Sequence, residues 1–321
     1  MTLTELKKSI TLFFNAYWLK EYYLLLKYHR LDANPTRKPL LLSLVDSRRQ
    51  GKGLTDRFKG IISVYALAKA TNNPYRCLYT HPFLLTDFFV PNAYDWQLKV
   101  GELSTAVSDV RFKLLRKQHT IKRLLKVLPL KKQIHVYANL DYLDEINRIY
   151  STSYTWGELF HELFKPTDQL RAQVDKHREN MGGAGYVACV FRFQSLLGDF
   201  KEYRFDALES TARSQLIATN KEALAKIAQT NQQPVLVTSD SSTFLDAVKD
   251  VPNVYTMSGK VVHMDCVNDE SPNVYMRSFV DFLLISEAAR IYSVGTDIMY
   301  RSDFPAYAAK LNNVTFERVL I

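Results

Sequence analysis

Short apolar runs of strand length alternate along the chain with longer stretches in which apolar residues recur every three or four positions. "KPLLLSLVD" reads as a strand buried on both faces and "LTDRFKGIISVYALAKATN" as the helix after it, with "SRRQGKG" turning between them. "QIHVYANL" predicts another strand, followed by helices over "YTWGELFHELF" and "PTDQLRAQVDKHREN". "GGAG", residues 182–185, then interrupts the pattern as a flexible joint. Beyond it come strand "YVACVFRF", helix "STARSQLIATNKEALAKIAQT", strand "QPVLVTS", helix "SSTFLDAVKD" and strand "VYTMS". Helix "YMRSFVDFLLISEAA", strand "RIYSV" and helix "DFPAYAAKLNN" complete the series. Strands alternating with helices predict parallel sheets with helices packed on their faces. The chain therefore reads as α/β, with two Rossmann-like lobes, 1–181 and 182–321, facing a cleft. Ligands in such sheets bind beyond the carboxyl ends of the strands.

Charge adds a second layer. The 321 residues carry a formal net charge of +9, which asks for an anionic partner. "VRFKLLRKQHTIKRLLKVLPLKK", residues 110–132, holds no acidic residue and interleaves its cations with Leu and Ile, so it predicts a basic amphipathic helix. Such a helix suits an anionic membrane surface, nucleic-acid phosphates, or water on one face and core on the other. No zinc-finger, RNP or helix-turn-helix pattern accompanies it, so nucleic acid is set aside as a partner. The N-terminal stretch "MTLTELKKSITLFFNAYWLKEYYLLLKYHR" is interrupted by Asn15, Lys20 and Glu21 and reads as an amphipathic helix rather than a signal peptide or membrane span. Cys77, Cys189 and Cys266 are an odd, scattered set that reads as free thiols in a reducing compartment. These features place the protein in the cytoplasm, with residues 110–132 available to meet the inner face of a membrane.

The candidate chemistry gathers at predicted strand ends. Arg192 stands between Phe191 and Phe193 where a buried strand gives way to a loop. A guanidinium there suits a phosphate, or else pairs with a carboxylate such as Asp199. "VLVTSDSSTF" ends a strand in Ser239 and Asp240, both ordinary helix caps, and Asp240 is expected to join Arg192 and Ser302 on a common rim that binds the donor. "IYSVGTDIMYRSDFPAYAA" sets Gly295, Thr296, Arg301 and Ser302 between the last strand and the last helix, where Ser302 and helix amides would cradle an anion. In the first lobe Gly51 and Gly53 let backbone approach a ligand closely, although no GKS or GKT makes the turn a P-loop, and Asp56 stands where a dinucleotide fingerprint has its third glycine.

Four segments, in order, resemble the motifs of the fucosyltransferase superfamily, which comprises α1,2- and α1,6-fucosyltransferases, nodulation fucosyltransferases and protein O-fucosyltransferases. "QGKGLTDRFKGIISVYALAKATN" resembles its N-terminal glycine motif and "VACVFRFQSLLGDF" its H-x-R-R-x-D motif, with Arg192 on the first arginine. "VLVTSDSSTF" is similar to its Ser-Asp strand, and "SFVDFLLISEAARIYSVGTDIMYRSDFPAYAAKL" to its last helix-strand-serine motif. The matches span residues 51–311. The resemblance implies a GT-B fold, a GDP-fucose donor, and inverting transfer to a glycan acceptor without metal or other cofactor. In a bacterium that reaction would build surface polysaccharide or lipopolysaccharide. It also implies that Arg192 and Ser302 bind the donor β-phosphate, that Asp281 contacts guanine, and that Gly51 and Gly53 border the diphosphate. Val190 replaces the motif's histidine, Phe193 its second arginine, and Asp303 and Pro305 flank the proposed cradle.

The sequence contains no Asp-x-Asp pair of the kind that holds a metal on a sugar diphosphate. Arg192, helix amides and Arg301 would then neutralise the leaving group. Asp199 is the first candidate for the general base and Glu202 the second, each with an alternative as a loop salt bridge. A GT-B enzyme with another nucleotide-sugar donor, and a non-catalytic glycan- or nucleotide-binding homologue, are the alternatives to a fucosyltransferase.

Overall fold

The computed structural model describes residues 17–48, 53–126, 128–199, 206–257 and 271–321. The chain divides into two compact units, one formed by 1–85 and 91–164, the other by 86–90 and 165–321. Two three-residue strands, β3 (Phe89–Pro91) and β6 (Phe164–Pro166), lie where the chain passes from one unit to the other.

The first unit is built on four parallel strands in the order β2-β1-β5-β4, namely Tyr75–Tyr79, Leu40–Val45, Gln133–Ala138 and Val110–Leu115. β1 is buried at every position, as a central strand covered on both faces must be. Leu40, Leu42 and Leu44 alternate onto one face with Phe112 and Leu114 of β4 and meet Leu24 of α1 (Tyr17–Tyr28). α2 (Leu54–Ala70) packs on β1 and β5, and so close to β5 that a Cβ on Gly60 would stand 2.0 Å from the Ala138 carbonyl oxygen. The short α3 (Ile121–Leu125), α4 (Leu143–Tyr150) and α5 (Trp156–Leu163) complete this unit.

The segment expected to be a basic helix over 110–132 is instead a strand, a 3-10 turn (Gln118–Thr120) and the five-residue α3. Val110, Phe112 and Leu114 are buried while Arg111 is exposed and Lys113 half-buried, a period of two. Inward-facing alternate apolar residues pair with β5 and outweigh the density of long charged side chains.

The second unit carries five parallel strands in the order β11-β10-β7-β8-β9, that is Thr315–Leu320, Arg290–Gly295, Val187–Phe191, Val235–Ser239 and Val254–Thr256. α6 (Asp168–Asn180) precedes the sheet, and α7 (Ser210–Thr230), α8 (Ser242–Ala247), α9 (Pro272–Ser286) and α10 (Phe304–Asn312) make the successive crossovers. Val187, Cys189 and Phe191 of β7 share a core with Val235 and Val237 of β8, Phe193, Phe244, and Leu216 and Leu224 of α7.

The expected joint at 182–185 is a helix stop. Gly182 and Gly183 take φ of +90° and +69°, and their amides return to the Glu179 and Arg178 carbonyls, as left-handed glycines after a helix do. The units part some seventeen residues earlier, at 164/165. α6 belongs with the second because it packs on α9, and Arg171 reaches Glu287 at 2.6 Å.

Candidate functional site

β7 comes first in its sheet yet sits at the centre, with β8 on one side and β10 on the other. The strand order therefore reverses beside β7, and the crevice at the carboxyl ends of β7 and β10 is the topological switch point where ligands of open α/β sheets bind. Register fixes what stands there. Phe191 is level with Ser239 and Val294, so the next residue on each strand, Arg192, Asp240 and Gly295, forms one row across the sheet edge.

Arg192 Nη1 lies 2.7 Å from Asp240 Oδ2, with the two side chains 19% and 7% exposed. The same carboxylate accepts the amides of Phe193 at 2.8 Å and Gln194 at 2.7 Å, and Gln194 takes a left-handed φ of +54° to allow it. Burial pushes the Asp240 carboxyl above the usual carboxylate range, against the pull of Arg192 and the amides. Phe191 and Phe193 turn to the other side and pack on Phe244 at 4.6 and 4.8 Å between ring centres. The strand therefore buries its phenylalanines on one side and leaves the guanidinium at the edge. Asp240, expected to touch the donor, is the residue that shapes this turn and orients Arg192. One residue past β10, the hydroxyl of Thr296 is buried and makes no hydrogen bond.

Asp199, expected as a base, is a tertiary helix cap. It accepts the hydroxyls of Ser241 (2.6 Å), Ser242 (2.8 Å) and Thr243 (2.9 Å) and the Thr243 amide (2.9 Å) at the start of α8. Burial works to raise its pKa, but these hydrogen bonds outweigh it and hold the carboxyl below its ordinary value. Such a group is a poor proton acceptor near neutrality. Nor is Asp199 the partner of Arg192. Glu202 and Gly51 lie outside the described residues, as does Cys266.

Asp281 is 7% exposed within α9, where Arg277 Nε reaches its two oxygens at 3.2 and 3.1 Å and Arg277 Nη1 donates to the Met257 carbonyl. Burial raises its pKa against the pull of Arg277. The pair ties α9 to the end of β9, so the carboxylate expected on guanine is held by its own helix. Ser302 Oγ accepts the Phe304 amide at 3.2 Å, and Pro305 has no amide to offer, so the expected anion cradle is partly filled by its own serine. Arg301 is exposed beside it, and Asp303 reaches Arg318 at 3.5 Å.

In the first unit, Gly53 precedes α2 with an ordinary φ of −52°, and among the described residues a Cβ added there would meet nothing within 4 Å. Two neighbours carry more of the structure than the sequence indicated. Arg57, 4% exposed, donates to the His81 carbonyl at 2.6 Å and lies over the Tyr79 ring, tying α2 to the end of β2. Gly60 permits the contact with Ala138, and a glycine inside an otherwise apolar helix was its signal. Thr55 Oγ1 and Asn139 Oδ1, at the start of α2 and just past β5, are buried and make no hydrogen bond. A groove of about 420 Å³ beyond the carboxyl ends of β4 and β5 is lined by Gln118, Ile121, Lys122, Asp141, Tyr142, Asp144 and Glu145, a mixed apolar and charged surface. Cys77 and Cys189 are buried free thiols, and burial raises the pKa of Cys77 to about 12 and that of Cys189 further. Among the described residues no group of His, Cys, Asp and Glu is placed to hold a metal ion, and no helix is long and apolar enough to cross a membrane.

No family model matches the chain, and no curated protein matches it in sequence. Solved structures do match it in fold. A mutant of Arabidopsis thaliana FUT1 in complex with GDP aligns with a TM-score of 0.57 at 14% identity, over 95% of this chain and 74% of that one. Fucosyltransferase NodZ from Bradyrhizobium aligns with a TM-score of 0.51 at 14% identity, over 85% and 92%. POFUT1 in complex with GDP-fucose aligns with a TM-score of 0.51 at 10% identity, over 90% and 99%. The fold of this chain, two parallel-sheet α/β units, is the GT-B fold of these fucosyltransferases.

Proposed function

We propose that the protein is a GDP-fucose-dependent fucosyltransferase acting on a glycan acceptor by an inverting single displacement without a metal, in the synthesis of bacterial surface polysaccharide. The observation that carries the reading is Arg192, set by Asp240 at the switch point of the second sheet, next to the unsatisfied hydroxyl of Thr296. As the bond from the sugar anomeric carbon to the diphosphate breaks, negative charge grows on the leaving phosphate. A guanidinium already in position stabilises that charge without reorganising. Arg301 and Ser302, in the loop between β10 and α10, would meet the same phosphate. The groove lined by Gln118, Ile121, Lys122, Asp141, Tyr142, Asp144 and Glu145 offers both a ring and charged donors and acceptors to a sugar acceptor. The acceptor's proton would go to a carboxylate, and Asp199, the first candidate, is already engaged by Ser241, Ser242 and Thr243.

Relatives in fold that were crystallised with GDP and GDP-fucose support the choice of donor. The sequestered Asp281 favours a second reading, in which the same architecture takes a different nucleotide, because its carboxylate is engaged by Arg277 rather than offered to a base. A thermal-shift panel of GDP, UDP, ADP and CMP separates the two. Stabilisation by GDP alone, with GDP-fucose hydrolysed or transferred, supports the fucosyltransferase. Stabilisation by UDP or ADP instead moves the donor assignment, and binding with neither transfer nor hydrolysis makes the protein a non-catalytic homologue.

A further inference from the structure

α1 is apolar on both of its sides. Leu24 faces the sheet core with Leu25 and Tyr28 packed beside it, while Trp18, Tyr22 and Leu26 follow one another at four-residue spacing on the outside, 56%, 57% and 42% exposed. Tyr23, 59% exposed, widens that stripe. A helix that is hydrophobic around its circumference belongs inside a core or at a boundary between water and an apolar phase. Trp and Tyr are the residues that settle at the headgroup level of a bilayer.

The exposed charges of α1 and of residues 110–126 are mostly cationic. The only acid within α1, Glu21, is 5% exposed and turned inward, where it accepts the Leu114 amide at 2.9 Å and pairs with Arg123 at 2.6 Å and Lys113 at 3.4 Å. Outward, α1 and the residues after it show Lys27 and Arg30, with Asp32 the one exposed acid over residues 17–32. β4, against which α1 packs, and the α3 segment that follows add exposed Arg111, Arg116, Lys117 and Lys126, while Lys122 faces the acids Asp141, Asp144 and Glu145 of the groove and does not belong to this surface. Lys27 holds its ammonium 5.8 Å from the Tyr23 ring centre and 5.3 Å from that of Tyr28.

We propose that the outer face of α1, together with the cations of β4 and α3 beside it, is a docking surface for an anionic lipid layer. The rings and Leu26 would enter the headgroup boundary while the lysines and arginines meet the lipid phosphates. A second copy of the chain would oppose cations to cations at a net charge of +9, so the charge pattern selects an anionic surface over self-association. Membrane contact is thereby assigned to the aromatic helix and its basic flank, in place of an amphipathic helix over 110–132. The proposal stands apart from the transferase reading, since it concerns a surface of the first unit and is read without donor or acceptor.

The chain supplies its own reporter. Of its three tryptophans, Trp96 and Trp156 are 2% and 3% exposed, so a change of emission on mixing with vesicles reports Trp18. Full-length protein is mixed with phosphatidylcholine vesicles with or without phosphatidylglycerol, and co-sedimentation and emission are read together. Expected are sedimentation and a blue shift with phosphatidylglycerol only, both reversed by high salt. Brominated lipid should quench the shifted emission. The triple change Trp18→Ser, Tyr22→Ser, Leu26→Ser, at exposed positions, should weaken partitioning at least tenfold while leaving the thermal transition in place, and Arg116→Gln and Lys126→Gln should each cost about fivefold. Sedimentation without a blue shift or bromine quenching would overturn the proposal. So would sedimentation indifferent to the triple change, or a lipid-free dimer that the triple change dissolves.

Discussion

Replacing Asp199 by alanine separates a helix cap from a general base. The substitution deletes the acceptor for Ser241, Ser242 and both donors of Thr243. Ser241 is fully buried, so its hydroxyl loses an acceptor that water cannot replace, at about 1–3 kcal/mol. Ser242 and Thr243 are exposed and turn to water, adding about 1 kcal/mol between them. The sum, about 2–4 kcal/mol, lowers the melting temperature of a unit of this size by roughly 5–15 °C. The depressed carboxyl stabilises the fold above its unfolded pKa of 3.8, and that contribution is lost as pH falls through the lower folded value. Differential scanning calorimetry and turnover measured well below the transition are the paired assays. The cap predicts a lower melting temperature, turnover within about tenfold of the unmodified enzyme and an unchanged acid limb in the pH–rate profile. A collapse of turnover by about 10²–10⁴ at an unchanged melting temperature would refute the reasoning and restore Asp199 as the base.

Three other outcomes are expected. Arg192→Lys keeps a charge near Asp240 but loses the planar fork, so turnover should fall about 10²–10³ with the melting temperature nearly held; near-normal turnover would remove Arg192 from the site. Gly60→Ala drives a methyl group into the Ala138 carbonyl and should cost about 3 kcal/mol or more by chemical denaturation, and a neutral result would contradict the close packing of α2 on β5. His29 and His135 meet at 3.2 Å between ring nitrogens, and burial lowers both pKa values, that of His135 further under the influence of His29 and Arg48. A lowered histidine pKa means that the unfolded chain takes up protons first. Stability should therefore hold above about pH 6.5 and decline as pH falls below it, and denaturation midpoints flat across that range would show the imidazoles charged in the fold.

Strongly periodic segments were legible in the sequence, and so was the alternation that makes parallel sheets. The continuous "LLLSLV" run is a central strand and "VACVF" another, because only a doubly covered strand can be apolar at successive positions. Tyr75–Tyr79 escaped because five residues alternating with an arginine carry little signal, and Thr315–Leu320 because an edge strand with mostly exposed side chains has almost no apolar pattern. Residues 110–115 were misread because charge density suggested a helix, while period-two burial decided for a strand. The position of Arg192 at a strand end was visible from the sequence. The carboxylate that Arg192 meets was not, since Asp240 and Asp199 exchange roles through contacts more than forty residues apart.

The ion pair at the centre of the second sheet edge bears on how fast such an enzyme could let go. A phosphate bound at Arg192, as proposed, would meet a cation already partly compensated by Asp240 rather than a bare positive charge. That weakens the hold on a spent nucleotide as well as on the incoming one, which shortens the dwell time of the by-product in a reaction where its departure commonly limits the cycle. The same carboxylate holds the Phe193 and Gln194 amides, so the compensation that would speed release cannot be removed without loosening the turn that aims the guanidinium.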